Sequence, residues 1–340
     1  MISVVVVNWN RCELLRAALA SLASQRNVDF EVILVDNGSS DGSVEMAINN
    51  FSTIFPLRLV RNRQNRGFCE ANNQGIAVAQ GQYVALLNND AEADPEWLSE
   101  LLAACEGRSE IGMVASKILV HEDPTRIDKV GHLIYADGQN RGRGTGEVDR
   151  GQYDHSEACL WPDGCAALYR KSMLDEIGGF DEDFFAYADD AELGLRGRIA
   201  GWDCVYAPRA RVRHHRGTTL GVASVRRLML IERNRVLLVA KLFPWRLALL
   251  NPFYYLLRLS AGVSASLRGE GETKRYPGFS GKLRMGWALL RGDLEALILL
   301  PRILAKRKEI ARFRKRSDAE VLQLLRQHQI SLKEISSQAV

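Results

Sequence analysis

The sequence predicts an α/β fold: a Rossmann-like, mostly parallel central sheet flanked by helices, followed by a helical, basic C-terminal extension. Three observations carry that expectation. Apolar runs of strand length alternate with amphipathic helical patterns through the first 120 residues, as in a doubly wound sheet. Two of those runs stop abruptly in carboxylates and amides, at Val35-Asp36-Asn37-Gly38 and at Leu87-Asn88-Asn89-Asp90. Buried parallel strands would deliver those side chains to the sheet's carboxyl edge, where open α/β sheets bind ligands. Charge is also divided along the chain: residues 1–205 hold 18 Lys/Arg and 32 Asp/Glu, whereas 206–340 hold 27 and 9. The two halves therefore meet different surroundings.

Taken in order, 2–7 reads as a strand and 13–24 as a helix, with Leu14, Leu15, Ala18, Leu19 and Leu22 on one stripe. Strands at 31–35 and 57–60 flank a helix at 43–50. A helix at 71–79 precedes the strand 83–87, and a helix at 95–104 opens at Pro95 with Asp94 as its cap. Beyond 120 the pattern loosens, and 137–151, with five glycines, reads as a flexible loop. Order returns at 160–169, 171–177, a helix around 189–200 and a short strand at 210–213. After Gly217 the chain is almost wholly helical.

At 340 residues with 46% apolar and 25% charged content, the chain suits one well-buried core plus an appendage. Its six cysteines form no CxxC pair, so reduced thiols in a cytosolic setting are expected. The amino terminus enters a strand directly, without the basic region and cleavage site of a signal peptide, which predicts a cytoplasmic placement.

Several constellations carry chemistry. Asp36, after the second strand, can accept a hydrogen bond from a base or ribose; Asp41-Gly42 reads as a turn and helix cap. Asn65-Arg66-Gly67-Phe68 leads into a helix start whose amides favour an anionic group. Asp90, with no Lys or Arg beside it in the sequence, suits a divalent cation holding a diphosphate. Asp189, Asp190 and Glu192 crowd three carboxylates between Phe184, Phe185, Tyr187 and a helix. Crowding raises proton affinity and makes general bases; complementing the helix dipole is the plainer account. His214 and His215 offer an imidazole near the sheet edge that can complete a metal shell.

Together, Val6-Val7-Asn8-Trp9-Asn10, Val35-Asp36-Asn37-Gly38-Ser39, Asn65-Arg66-Gly67-Phe68, Leu87-Asn88-Asn89-Asp90, Gly178-Gly179-Phe180-Asp181-Glu182 and the Asp189-Asp190 pair resemble the ordered motifs of family 2 inverting glycosyltransferases, most of all the bacterial rhamnosyltransferase type. The resemblance covers roughly residues 1–240. It implies a GT-A fold, a nucleotide-diphosphate sugar donor and Mg2+ or Mn2+. It assigns 1–225 as the catalytic domain, with 1–120 binding the donor and 121–225 on the acceptor side, and 226–340 as the helical basic region. By this resemblance Asn8, Asn10, Asp36, Asn65, Gly67, Asn88 and Asn89 surround the nucleotide sugar. Asp90 and His214 hold the metal, with His215 the alternative ligand. Asp190 is the base that deprotonates the acceptor, with Asp189 the alternative. Asn88 stands where the family often has its first Asp, and the usual Glu-Asp pair is Asp189-Asp190. The Gln-x-x-Arg-Trp signature of processive synthases is absent, so addition of a single sugar is expected.

The tail adds a surface. Arg246 and Arg258 interrupt the apolar stretch 242–267, which argues against a full span. Residues 302–316 hold eight Lys/Arg against Glu309. Interfacial helices on an anionic membrane are the expectation, with an ordinary helical bundle as the alternative; no nucleic-acid motif is present, and a homo-oligomer is left open. The reading is a peripheral enzyme at the inner face of the plasma membrane, moving rhamnose from dTDP-rhamnose to a glycan or polyprenyl-linked saccharide. A UDP-hexose donor and a catalytically degenerate scaffold are the rivals. A Rossmann dehydrogenase is disfavoured, because no GxGxxG follows the first strand.

Overall fold

β1 (Ile2–Asn8) is almost entirely buried and mostly valine, which suits a strand covered on both faces. Around it the computed structural model, which describes residues 1–215 and 224–337, builds a ten-stranded sheet among the described residues. α1 (Cys12–Ala23), β2 (Phe30–Asp36), α2 (Ser43–Phe51), β3 (Leu57–Arg61), α3 (Gly67–Val78) and β4 (Tyr83–Leu87) follow as strand–helix alternation. β1 pairs in parallel with both β2 and β4, and β2 with β3. The chain therefore builds outward from β1 to β3 and then returns to β1's other side. That reversal opens a crevice at the carboxyl ends of β1 and β4.

There follow β5 (Ala91–Ala93), α4 (Trp97–Cys105), β6 (Ile111–Val120), β7 (Ile127–Lys129), β8 (His132–Ile134), β9 (Asn140–Gly142), β10 (Glu157–Ala158), β11 (Ala166–Arg170), α5 (Lys171–Ile177), α6 (Asp189–Ile199) and β12 (Asp203–His214). The sheet runs in the order β10-β12-β6-β11-β4-β1-β2-β3, with β5 paired to β12 and β7 to β6, while β8 and β9 form a separate two-stranded sheet. β11 runs antiparallel to β4 and β6, while β6 and β12 are parallel to each other. The core lies between this sheet and its helices, around Leu15, Leu19, Leu22, Trp97, Leu98 and Leu101.

Several elements differ from the sequence expectation. β6 is a ten-residue central strand where no element was expected; its Gly112 and Ser116 and its buried Lys117 mask the apolar run. β12 begins at Asp203 rather than 210, because Pro208 sits at a register shift and conceals the strand's first half. α3 begins at Gly67, four residues early. α4 begins at Trp97, whose amide bonds the Asp94 carbonyl at 2.9 Å, so backbone rather than side chain does the capping.

The chain divides into two compact units, Met1–His132 with Gly142–Arg216, and Leu133–Arg141 with Gly217–Val340. In the second, α7 (Val225–Leu242), α8 (Trp245–Leu249), α9 (Asn251–Leu267), α10 (Gly278–Ile310), α11 (Asp318–Gln327) and α12 (Leu332–Ser337) are helical throughout. Asp137, read as part of a flexible loop, is wholly buried there. Its carboxylate accepts from Arg258, which also reaches Glu232 at 2.9 Å, and Glu232 in turn pairs with Arg235. Arg258 thus points into the unit, with charge partners that its surrounding apolar sequence does not reveal. Among the described residues no helix is long and apolar enough to cross a membrane.

Gly67 tests how the first unit is assembled. Its φ is +85°, and a Cβ would stand 2.6 Å from the Phe185 ring. Gly67→Ala is therefore expected to cost about 1–3 kcal/mol, read as a lower midpoint in urea unfolding. An unchanged midpoint would show that the Phe185 segment moves freely.

Candidate active site

The carboxyl edge of β1, β2 and β3 is knitted together by short polar side chains. Asn8 donates to Ser39 Oγ at 3.2 Å, and the Asn10 amide donates to the same oxygen at 2.8 Å. Asn10 Oδ1 accepts from the Ser40 amide at 3.0 Å, and Asp36 Oδ2 from the Ser39 amide at 3.1 Å. Asp36 is buried, yet its other oxygen, Oδ1, has no partner among the described residues. A buried carboxylate oxygen without a donor is costly, so this one is suited to a donor on a ligand. Asp41 serves the framework, accepting from the Cys12 amide at 2.8 Å in the first turn of α1, and from Ser43.

At the start of α3 the amides are already engaged. Phe68 and Cys69 donate to the Phe185 carbonyl at 3.0 and 3.3 Å, and Gly67 donates to Asn65 Oδ1 at 2.9 Å. The anion site read from the sequence as free amides is therefore filled by the chain itself. Asn65 and Gly67 shape the wall here, and the adjoining loop keeps Phe185, Tyr187 and Ala188 at positive φ. Three such non-glycine residues directly before Asp189 mark a strained segment held by its surroundings.

On the other side of β1, Asn89 donates to Asn8 Oδ1 at 2.7 Å, and the Asn88 amide to the Cys165 carbonyl at 2.8 Å. Asp90 is buried, with Arg11 3.4 Å from Oδ2 and His214 Nε2 3.4 Å from Oδ1. The sequence shows no cation beside Asp90, but the pairing of β1 with β4 brings Arg11 to it. Asp128 lies 2.8 Å from His214 Nδ1, so a carboxylate orients the ring and leaves Nε2 toward Asp90, an arrangement typical of metal-binding histidines. Burial pushes the His214 imidazolium down, but Cys165, Asp128 and Asp90 more than offset it and hold it well above its usual range. His215, next along the chain, turns away to Glu122 at 3.0 Å and stacks on His121.

The carboxylates at the start of α6 have separate roles. Glu192 is fully buried and chelated by Arg196, two bonds of 2.8 Å; Arg196 also gathers the carbonyls of Ile177, Gly178 and Gly179. That pair belongs to the framework. Burial, with Asp190 next to it, pushes the Asp189 carboxyl up to about 8, so Asp189 tends to keep its proton at neutral pH. Asp190 Oδ2 lies 3.4 Å from the Gly164 amide and 3.3 Å from His132 Nε2. The same nitrogen is 3.0 Å from Asp163, which Lys129 also contacts. Burial opposes charge on His132, yet Asp190 and Asp163 prevail and raise it to about 9.

A short path of contacts joins Asp190 to Asp90. Asp190 meets Gly164, the next residue Cys165 meets Asn88, and Asp90 lies two residues on. Two triads among the described residues have the donor types and spacing to hold an ion: Glu92/His121/His215 and His132/Asp163/Asp190. In the second, Lys129 already supplies a cation. Arg11, Asp128, His132 and Asp163 were missed in the sequence. Only Asp163-Gly164, an acid–glycine step inside an apolar run, carried a signal there.

Residues 3–178 match the family described as Glycosyl transferase family 2. The chain belongs to that family. Among curated relatives it is similar to the N-acetylglucosaminyl-diphospho-decaprenol L-rhamnosyltransferase of Mycobacterium tuberculosis, 28% identical over 242 residues that span 65% of this chain and 78% of that protein. It is also similar to the O-antigen biosynthesis protein RfbC of Myxococcus xanthus, 29% identical over 265 residues, 74% of this chain and 20% of that one. The solved structure of S. aureus TarS 1-349 superposes with a TM-score of 0.55 at 16% identity, covering 98% and 90% of the two chains. GalNAc-T7 with UDP, GalNAc and Mn2+ gives 0.53 at 16% identity over 63% and 43%. These likenesses carry the GT-A fold, and this family 2 protein is a glycosyltransferase.

The glycosyltransferase should show its buried imidazolium in its pH profile. The folded value of His132 is about 9, above the ordinary 6.5. Its contribution to stability is therefore present in full below about 6.5 and lost as pH rises through about 9. The difference in melting temperature between wild type and His132→Gln should narrow across that window; a constant difference would rule the charged form out.

Proposed function

We propose that this glycosyltransferase is metal-dependent and inverting, moving a single rhamnose from dTDP-rhamnose to a hydroxyl of a cell-surface or lipid-linked glycan at the cytoplasmic face of the membrane. The mycobacterial relative, named for rhamnosyl transfer to a decaprenol-linked sugar, supports the donor sugar and the acceptor class. The observation that supports the chemistry is the short contact path from Asp190 through Gly164, Cys165 and Asn88 to Asp90, which also meets His214.

In this reading residues 1–225 are the catalytic domain and 226–340 the basic helical region. Asn8, Asn10 and Asp36 take the nucleoside, with Asp36 Oδ1 accepting from the base or ribose. Asn65, Gly67, Asn88 and Asn89 shape the donor's walls. Asp90 and His214, one carboxylate and one imidazole, would hold the Mg2+ or Mn2+. When bound there, a divalent cation supplies positive charge to the departing diphosphate. Arg11, beside Asp90, adds a second positive group on the same side.

Asp190 receives the acceptor hydroxyl proton. The freed oxygen forms its bond to the anomeric carbon as the bond to the diphosphate breaks, and the diphosphate leaves with that electron pair. Attack from the opposite face inverts the centre. His132 positions Asp190, and Asp163 and Lys129 hold His132. Asp189 keeps a neighbouring proton close by, which limits charge repulsion in the pair.

A positioned base is worth about 10²–10⁴-fold in rate, so Asp190→Asn should lose turnover by that factor while donor affinity holds; near wild-type turnover would remove Asp190 from the base role. Asp90→Ala should weaken donor binding in the presence of Mg2+ or Mn2+, measured calorimetrically, and unchanged affinity would contradict its metal role. A panel of dTDP- and UDP-sugars, assayed for metal-stimulated hydrolysis, tests the rhamnose assignment directly.

A further inference from the structure

Through residue 298, α10 buries small residues and exposes large ones, while Ile303 and Ile310 are buried further on. Gly281, Ala288, Gly292 and Ala296 face inward, where α7 lies so close that a Cβ on Gly292 would stand 2.6 Å from the Met229 carbonyl oxygen. On the opposite side Phe279, Leu283, Trp287, Leu290, Leu294 and Ile298 recur at steps of three and four, which makes one stripe along the helix. Their exposure runs from 49% at Leu294 to 85% at Phe279. A surface helix in a water-soluble protein shows the reverse distribution. α9 repeats the pattern with Phe253, Leu256, Val263 and Leu267, each more than half exposed. Tyr255 on α9 bonds Asp293 on α10 at 2.8 Å, so the two stripes belong to neighbouring helices. Contiguous apolar surface of this kind marks an interaction site.

Charge decides what covers it. Arg284, Arg291 and Arg302 are exposed and fall along one border of the α10 stripe, where Glu295 pairs with Arg291 at 3.0 Å and leaves the border net basic, and Lys282 lies beyond the other. An antiparallel second copy would bring this net basic border against itself. An anionic leaflet complements them. Neither helix is long and apolar enough to span a bilayer, so each is suited to lie in its plane.

We propose that the outward stripes of α9 and α10 insert into the headgroup–acyl boundary of an anionic bilayer. This deepens the reading of a membrane-bound acceptor given above and rests on it only for which membrane is met.

The test is sedimentation of the full chain with phosphatidylcholine vesicles, with and without phosphatidylglycerol. Binding should require the anionic lipid, and the double variant Trp287→Glu/Leu294→Glu should lower the partition coefficient by about tenfold or more. Its circular dichroism melt and its nucleotide-sugar hydrolysis in solution should match wild type, because both side chains are exposed and remote in sequence from the catalytic motifs. A second variant, Arg284→Ala/Arg291→Ala, should lose preference for phosphatidylglycerol over phosphatidylcholine. Wild-type protein that fails to sediment with vesicles, or a double variant that binds undiminished, overturns the proposal. So does light scattering that shows a dimer which the double variant dissolves. Absent hydrolysis in both proteins, with vesicle binding intact, would instead sink the transferase reading and leave this surface standing.

Discussion

The parallel pairing of β1 with both β2 and β4 is the constraint on which the active site depends. A strand flanked in parallel on both sides needs crossover connections, and the order 3-2-1-4 leaves the loops after β1 and β4 diverging from a shared crevice. Backbone polar groups at that edge are no longer covered by the ladder. The chain satisfies several of them with the side chains of Asn10, Asp36 and Asn65, while Asn8 and Asn89 bond to neighbouring side chains. Amides and small acids are suited to this because they donate and accept within a short reach. The same pairing carries Arg11 to Asp90, although 79 positions separate them.

The placing of the Asp189–Asp190 pair rests on a different device. The loop before α6 is kept in an unfavourable backbone conformation at Phe185, Tyr187 and Ala188. It is held because the Phe185 carbonyl accepts from the first amides of α3 and the Phe185 ring packs where Gly67 has no Cβ. Helix capping, which alone is worth about 1 kcal/mol, here also aims the Asp189–Asp190 pair. The Glu192–Arg196 pair fixes the opposite flank through three carbonyls of the Ile177–Gly179 segment. Strain and rigidity are thus placed on either side of the Asp189–Asp190 pair.

Electrostatics then allots roles among like residues. Buried carboxylates are expensive unless a cation or proton accompanies them. Lys129 and His132 accompany Asp163, Arg196 accompanies Glu192, and Arg258 accompanies Asp137 and Glu232. Asp189 instead retains a proton to about 8. The acids thus differ in what neutralises them: a fixed cation for Asp163, Glu192, Asp137 and Glu232, and a proton for Asp189.

The sequence by itself determined the strand–helix alternation through residue 87, the polar stops after β2 and β4, the helical tail and the unequal division of charge. Those are local properties, written in periodicity and in the residue types that end an apolar run. It could not reveal β6, whose buried Lys117 breaks the apolar pattern yet pairs with Asp149 and Asp154, or the burial of Asp137. It could not tell His214 from His215, because only the direction of each side chain at the end of β12 separates a partner of Asp90 from a partner of Glu122. Arg11, Asp128, His132 and Asp163 belong here too: each acts through a residue far away in the chain. Which face of α10 turns outward was likewise undecidable from its composition, since apolar residues line both sides. Tertiary structure decided these points because burial and charge pairing depend on neighbours in space, and sheet register and helix packing choose those neighbours.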